Sequence, residues 1–143
     1  LAAALMLGAE GVMMASRFMA TTDCPIHDRV KQELVNRQEQ DTTLICKSIH
    51  LQARALRNKT VEDILEVERT GGGLEGLLPL ISGQRMVKVW EEGDVEHAPM
   101  MVGQSIGLIH DVVSCTELLE RMVAEAEERI RRCSSHMIAG VSD

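Results

Sequence analysis

Tyrosine is absent, and Phe18 and Trp90 are the only aromatic rings in 143 residues. Any core must therefore be aliphatic, built from Leu, Ile, Val, Ala and nine methionines. Such a core buries less area per side chain than one with aromatics, and Met specifies packing loosely. A chain of this kind standing alone is expected to be only marginally stable. Long apolar runs are also lacking. Leu1 to Ala9 imitates the apolar part of a signal peptide, but it has no positive flank. Gly8 and Glu10 break it well short of the roughly 20 residues a membrane span requires. Basic patches are missing too: the formal charge is -7, with both signs interspersed. Arg129, Arg131 and Arg132 cluster only where a helix C-terminus favours cations. Neither nucleic acid nor a membrane surface is an expected partner. The four cysteines, Cys24, Cys46, Cys115 and Cys133, are widely spaced. Free thiols in a reducing cytoplasm are the simplest reading.

The length suits one compact domain rather than two. The chain starts without Met, in the middle of a helical pattern, which leads us to expect a preceding segment. Leu1 to Leu7 reads as the end of a helix with Gly8 at its stop position. Gly11-Val-Met-Met14 is a short apolar run suited to a buried parallel strand. Helix, glycine turn and buried strand make half of an α/β repeat. Another chain, in a homo-oligomer, or an earlier segment would have to cover the strand's edges.

Asp23 and Pro25 are expected to open a helix reaching about Asn36, and β-branched Thr42 to Cys46 suits a short strand. Thr60-x-x-Asp63 resembles a capping box for a helix carrying Val61, Ile64 and Leu65, ended by Gly71-Gly-Gly73. Two short amphipathic helices follow, one with Leu74, Leu77, Leu78 and Ile81, the next with Met86, Val87, Val89 and Trp90. Gly93-Asp94 reads as a turn. Met100 to Ile109 has poor helix composition because of Gly103 and Gly107, and glycines there permit close backbone approach to a ligand. Ser114-x-x-Glu117 is a capping box for the clearest helix, with Leu118, Leu119, Met122, Val123, Ala126 and Ile130 on one face. After Cys133 the pattern has no period, and residues 134–143 are expected to form a flexible tail.

Some constellations have plain alternatives. Cys24-x-x-His27 and Cys46-x-x-x-His50 have the residue types of a tetrahedral zinc site. However, His27 falls inside an expected helix and the pairs lack knuckle glycines, so no metal is assigned. Ser105, His110, Asp111 and Ser114 lie close in sequence, yet nothing resembles a nucleophile elbow. More informative is Gly11 to Phe18, an apolar strand running into the small residues Ala15 and Ser16. Backbone N–H groups at such a strand end, beside a helix N-terminus, suit a phosphate.

Leu1-Ala-Ala-Ala-Leu-Met-Leu-Gly-Ala-Glu-Gly-Val12 with Met13-Met-Ala-Ser-Arg-Phe18 resembles the last helix–strand unit of the nitronate monooxygenase (2-nitropropane dioxygenase) barrel. Ala20-Thr-Thr-Asp-Cys-Pro25, Gly93-Asp-Val-Glu96, Gly103-Gln-Ser-Ile-Gly-Leu-Ile-His-Asp111 and the helix from Cys115 to Arg132 are similar to later landmarks of that family, in the same order. The resemblance implies an α/β fold. The chain would be the C-terminal fragment of an FMN-binding (β/α)8 barrel with an inserted, mostly helical substrate domain, itself mainly α. Residues 1–21 would be the last helix–strand unit, 22–101 the insertion, and 102–133 the return segment and terminal helix.

In such barrels the phosphate lies by the loops after strands seven and eight. The resemblance thus implies that Met13, Met14, Ala15 and Ser16 contact the FMN phosphate and that Gln104 and Ser105 face flavin or substrate. The family pattern at the first site is Gln-x-Gly-Thr. Here Met13 replaces Gln and loses its amide donor, while Ala15 replaces Gly and Ser16 keeps the hydroxyl. The family's catalytic histidine lies before Leu1, so no catalytic residue is assigned to this chain. The implied activity is oxidation of an alkyl nitronate by O2 to a carbonyl compound and nitrite, in the cytoplasm. FMN-dependent enoyl-acyl carrier protein reductase is a sister alternative, and a non-catalytic helical interaction fragment is the alternative of another class.

Overall fold

The computed structural model describes the backbone of residues 1–139 and the side chains of residues 1–135. Described residues are mostly helical, as expected. The described residues divide into two compact units rather than the single one the length suggested: residues 1–14 with 113–139, and residues 15–112.

In the first unit, helix α1 (Ala2–Met6) packs on the long terminal helix. Leu7 is its C-cap, and Gly8 follows with a φ of 93°, the left-handed stop that its sequence implied. Residues 11–14 contradict the strand expectation. They carry no regular structure, and Met13 is 99% exposed. A strand exists only through hydrogen bonds to a neighbour, and among the described residues no segment pairs with this one. At the other end Ser114 Oγ accepts from the Glu117 N–H at 3.1 Å and starts the terminal helix, Cys115–Ala139, as its capping motif indicated. That helix buries Leu118 and Ala126. It continues through Ala139, so the tail expected from residue 134 is corrected over 134–139, and residues 140–143 lie outside the described residues.

The second unit opens with α2 (Ser16–Met19) and α3 (Asp28–Asn36). Asp23 does not cap α3. His27 does, through Nδ1 accepting from the Arg29 N–H at 3.1 Å, so His27 is a cap and not a helix-interior residue. Strands β1 (Thr42–Ile45) and β2 (Ala53–Leu56) pair antiparallel with Thr42 opposite Leu56 and Ile45 opposite Ala53. The sequence offered no sign of β2, whose Ala-Arg-Ala-Leu favours helix. Pairing decides it: besides β1, the segment around Met101 lies against β2, with Leu56 N–H donating to Met100 and Val102 N–H to Arg54.

Helix α4 spans Lys59–Arg69, and its cap is Asn58, two residues before the expected Thr60. Helices α5 (Gly73–Ile81) and α6 (Gly83–Glu92) follow as their apolar periodicity required. Gly93, in the left-handed region, stops α6. Among the described residues the aliphatic core includes one cluster with Val30, Leu34, Met100 and Ile106 and another with Ile45, Val61, Ile64 and Leu77. No helix among the described residues is long and apolar enough to cross a membrane.

Candidate functional site

A hydrogen bond across the fold ties the start of residues 103–105 to α2. The Gly103 N–H donates to Ser16 Oγ at 3.1 Å, across 87 residues of sequence. Ser16 begins α2 and is buried, whereas Ala15, its N-cap, is exposed. Gln104 and Ser105 begin a 3-10 turn, Gln104–Leu108, and both are exposed. The tertiary fold therefore brings Ser16 beside the segment that holds Gln104 and Ser105. Met13 and Met14 belong to the first unit and carry no polar side-chain atom.

Next to this bond lies an ion pair that sequence reading missed. Arg17 donates through one guanidinium nitrogen to Asp111 Oδ1 at 2.6 Å, and through another to the carbonyls of Asp111 at 3.0 Å and Ala20 at 3.1 Å. The arginine side chain is only 17% exposed. The two partners are 94 residues apart, and neither composition nor periodicity links them. The one available signal was Arg17 itself, a cation directly following the small residues of the site. Asp111 engages Arg17 and Ser114 caps a helix, so two of the four residues considered for a triad have structural roles.

The 3-10 turn is held from within by Ile106, fully buried, and followed by Ile109, 2% exposed. Gly107 sits against Glu39, where an added Cβ would lie 3.1 Å from the Glu39 backbone nitrogen and closer still to its carboxylate. What comes close to Gly107 is thus the protein's own Glu39.

A phosphate needs donors and room for close approach. The Ser16 hydroxyl accepts from Gly103 and still has its own proton to donate, and exposed Ala15 adds only a methyl group. Ser16 thus has the donor chemistry, and Ala15 the small side chain, that a phosphate contact requires. Among the described residues no group of three or more His, Cys, Asp or Glu is arranged to hold a metal ion. The Nδ1 of His27 is occupied as a helix cap.

Residues 1–125 match the nitronate monooxygenase family. The chain belongs to that family. Two curated relatives carry the name (3aS,4S,5R,7aS)-5-hydroxy-7a-methyl-1-oxo-octahydro-1H-indene-4-carboxyl-CoA dehydrogenase. The one from Rhodococcus jostii (strain RHA1) is 26% identical, over 91% of this chain and 47% of the relative. The one from Mycobacterium tuberculosis (strain ATCC 25618 / H37Rv) is 25% identical, over 94% and 48%. Among solved structures, FabK from Thermotoga maritima is similar with a TM-score of 0.81 and 30% identity, over 94% of this chain and 42% of that one. The chain thus spans about half the length of the curated relatives it matches. The family and these dehydrogenase relatives are oxidoreductases.

Proposed function

We propose that this member of the nitronate monooxygenase family works in an FMN-dependent oxidoreductase that converts alkyl nitronates and O2 into a carbonyl compound and nitrite. Residues 1–21 would complete a (β/α)8 barrel, 22–101 form the substrate domain inserted into it, and 102–133 return to the barrel. The observation carrying the reading is the Ser16–Gly103 hydrogen bond at 3.1 Å, which supports a continuous site running from phosphate to substrate. Ser16 would donate its hydroxyl proton to a phosphate oxygen, helped by backbone N–H groups from Met13 to Ser16. Small Ala15 would let the phosphate approach the chain. Gln104 and Ser105 would offer an amide and a hydroxyl to the nitronate oxygens, fixing the substrate's orientation. Bound FMN would supply the electron-accepting chemistry, drawing electrons from the nitronate carbon and passing them to O2.

A second reading has a specific observation in its favour. Two curated relatives are named for a carboxyl-CoA substrate, so the same scaffold could instead serve an acyl thioester, as the enoyl reductase alternative also would. One experiment separates the readings. The purified full-length enzyme, checked for flavin absorbance, is given propyl-2-nitronate in air, and separately an enoyl thioester with NADH or NADPH. Nitrite release without nicotinamide consumption is expected. Nicotinamide oxidation dependent on the thioester, with no nitrite, would replace our reading by the second one. Absence of flavin and of both activities would favour a non-catalytic helical module.

A further inference from the structure

We infer that Arg17 and Asp111 are a positioning pair that fixes the Gln104–Leu108 turn, and through it Gln104 and Ser105, against α2. The inference rests on the proposed function only where it assigns those two residues to substrate.

The argument begins with adjacency. Ser16 and Arg17 are consecutive, and they hold the two ends of one segment: Ser16 accepts from the N–H of Gly103, while Arg17 donates to the carbonyl and carboxylate of Asp111. Between these ends the only regular structure is one 3-10 turn, whose hydrogen-bond geometry is poorer than that of an α-helix. Ile106 and Ile109 are buried and anchor the segment inward, and Gln104 and Ser105 remain exposed. Ile106, Ile109 and the packing of Gly107 on Glu39 hold the middle of the turn, and its two ends set how Gln104 and Ser105 are presented. Gly103 alone supplies a single neutral hydrogen bond. Asp111 accepts two charge-assisted bonds from one planar guanidinium, the one to its carboxylate also an ion pair, and this geometry constrains angle as well as distance. A third bond from the same guanidinium to the Ala20 carbonyl ties the pair to the end of α2. Lysine offers one compact ammonium in place of this fork and cannot reproduce all three bonds.

Small displacements matter at such a place, because misplacing a substrate-orienting group by about 1 Å can cost up to roughly a hundredfold in rate. Arg17 and Asp111 need touch neither cofactor nor substrate to set that displacement.

Hydrogen exchange on the full chain tests the pairing without reference to activity. In Arg17→Lys and Asp111→Asn, amides of residues 103–109 should exchange faster, while those of Val30, Leu34 and Ile64 keep their protection. Unchanged exchange across 103–109 in both variants would overturn the inference. So would an equal loss of protection over all these amides, which would make the pair a general stabiliser. Asp111→Asn preserves the shape of the side chain and keeps the test usable if Arg17 variants fold poorly. In the FMN-loaded enzyme, FMN affinity should stay within about twofold while kcat/KM for propyl-2-nitronate falls roughly tenfold to a hundredfold. Arg17→Lys should retain more of it than Arg17→Ala. If the parent turns over nitronate and the variants match it, the positioning role fails. If the parent is inactive on nitronate but the local exchange change is seen, the proposed function fails and the pairing stands.

Discussion

The Nδ2 of Asn58 donates to the carbonyl of Ala98 at 2.7 Å, joining the start of α4 to the chain that leads into Met100 and Gly103. The same nitrogen donates to the Val95 carbonyl at 2.8 Å, and Oδ1 accepts from the Val61 N–H at 2.9 Å as the helix cap. One buried amide thus serves as cap and as cross-link. Asn58→Ala should remove both and leave two carbonyls without this donor, costing about 2–4 kcal/mol. Asn58→Asp keeps the acceptor for Val61 but sets a carboxylate against two carbonyls, and should be at least as destabilising. Urea unfolding measures both. A loss under about 0.5 kcal/mol for Asn58→Ala would be an ordinary surface effect and would contradict the cross-link.

Gly93 ends α6 with a φ of 69°, and a Cβ there would run into the imidazole of His27. Gly93→Ala should cost about 1–2 kcal/mol for the left-handed backbone alone, and more from displacing the ring that caps α3. Adding His27→Ala should recover the steric part only. Thermal unfolding of the single and double variants checks this, and additive losses would argue against the collision.

Glu68 carries a pH dependence. Burial would raise its carboxyl pKa, but hydrogen bonds from Ser48 and from the Cys46 and Lys47 backbone prevail and hold it below the ordinary value near 4.5. Cys46 N–H donates to it at 3.0 Å and Ser48 N–H at 2.8 Å. A carboxylate with a depressed folded pKa contributes stability above its unfolded pKa, and that contribution is lost as pH falls through the folded value. The stability difference between the parent and Glu68→Gln should therefore be constant above about pH 6 and shrink below about pH 4.5. A difference that does not change with pH would show that these bonds do not depend on the charge.

The cysteines should react at different rates. Burial, and next the negative charge of Glu68, push the Cys46 thiol above its usual pKa, whereas Cys133 is exposed. Because the thiolate is the reactive form, iodoacetamide at neutral pH should label Cys133 first and Cys46 only on unfolding. Mass spectrometry of a time course decides it.

Ser16 and Ser105 should separate by function. Ser16→Ala in the full-length enzyme should raise the FMN dissociation constant by about ten- to a hundredfold, the worth of one charge-assisted hydrogen bond. Ser105→Ala should leave FMN affinity unchanged and lower nitrite release. If flavin titration is unaltered in Ser16→Ala and nitrite release is unaltered in Ser105→Ala, these two assignments are wrong.

Much of this chain was determined locally. Helices α4 to α6 follow from apolar spacing, the stops at Gly8 and Gly93 from the left-handed conformation that glycine tolerates, and the start of the terminal helix from Ser114 as its cap. Each depends on interactions within a few residues, so the sequence carries it. Nonlocal partners decided the rest. Ala53–Leu56 became a strand because β1 and the Met101 segment flank it, and Gly11–Met14 did not because no described segment does. Local cap signals also yielded to tertiary context: Thr60 lost the cap of α4 to Asn58, its own hydroxyl donating instead to the Glu96 carbonyl. The likeness of Met13 to Ser16 and of Gly103 to Asp111 to family landmarks was legible as two separate motifs. That Ser16 meets Gly103 and Arg17 meets Asp111 was not, because a hydrogen bond across 87 or 94 residues has no local periodicity and exists only once the chain has folded back on itself.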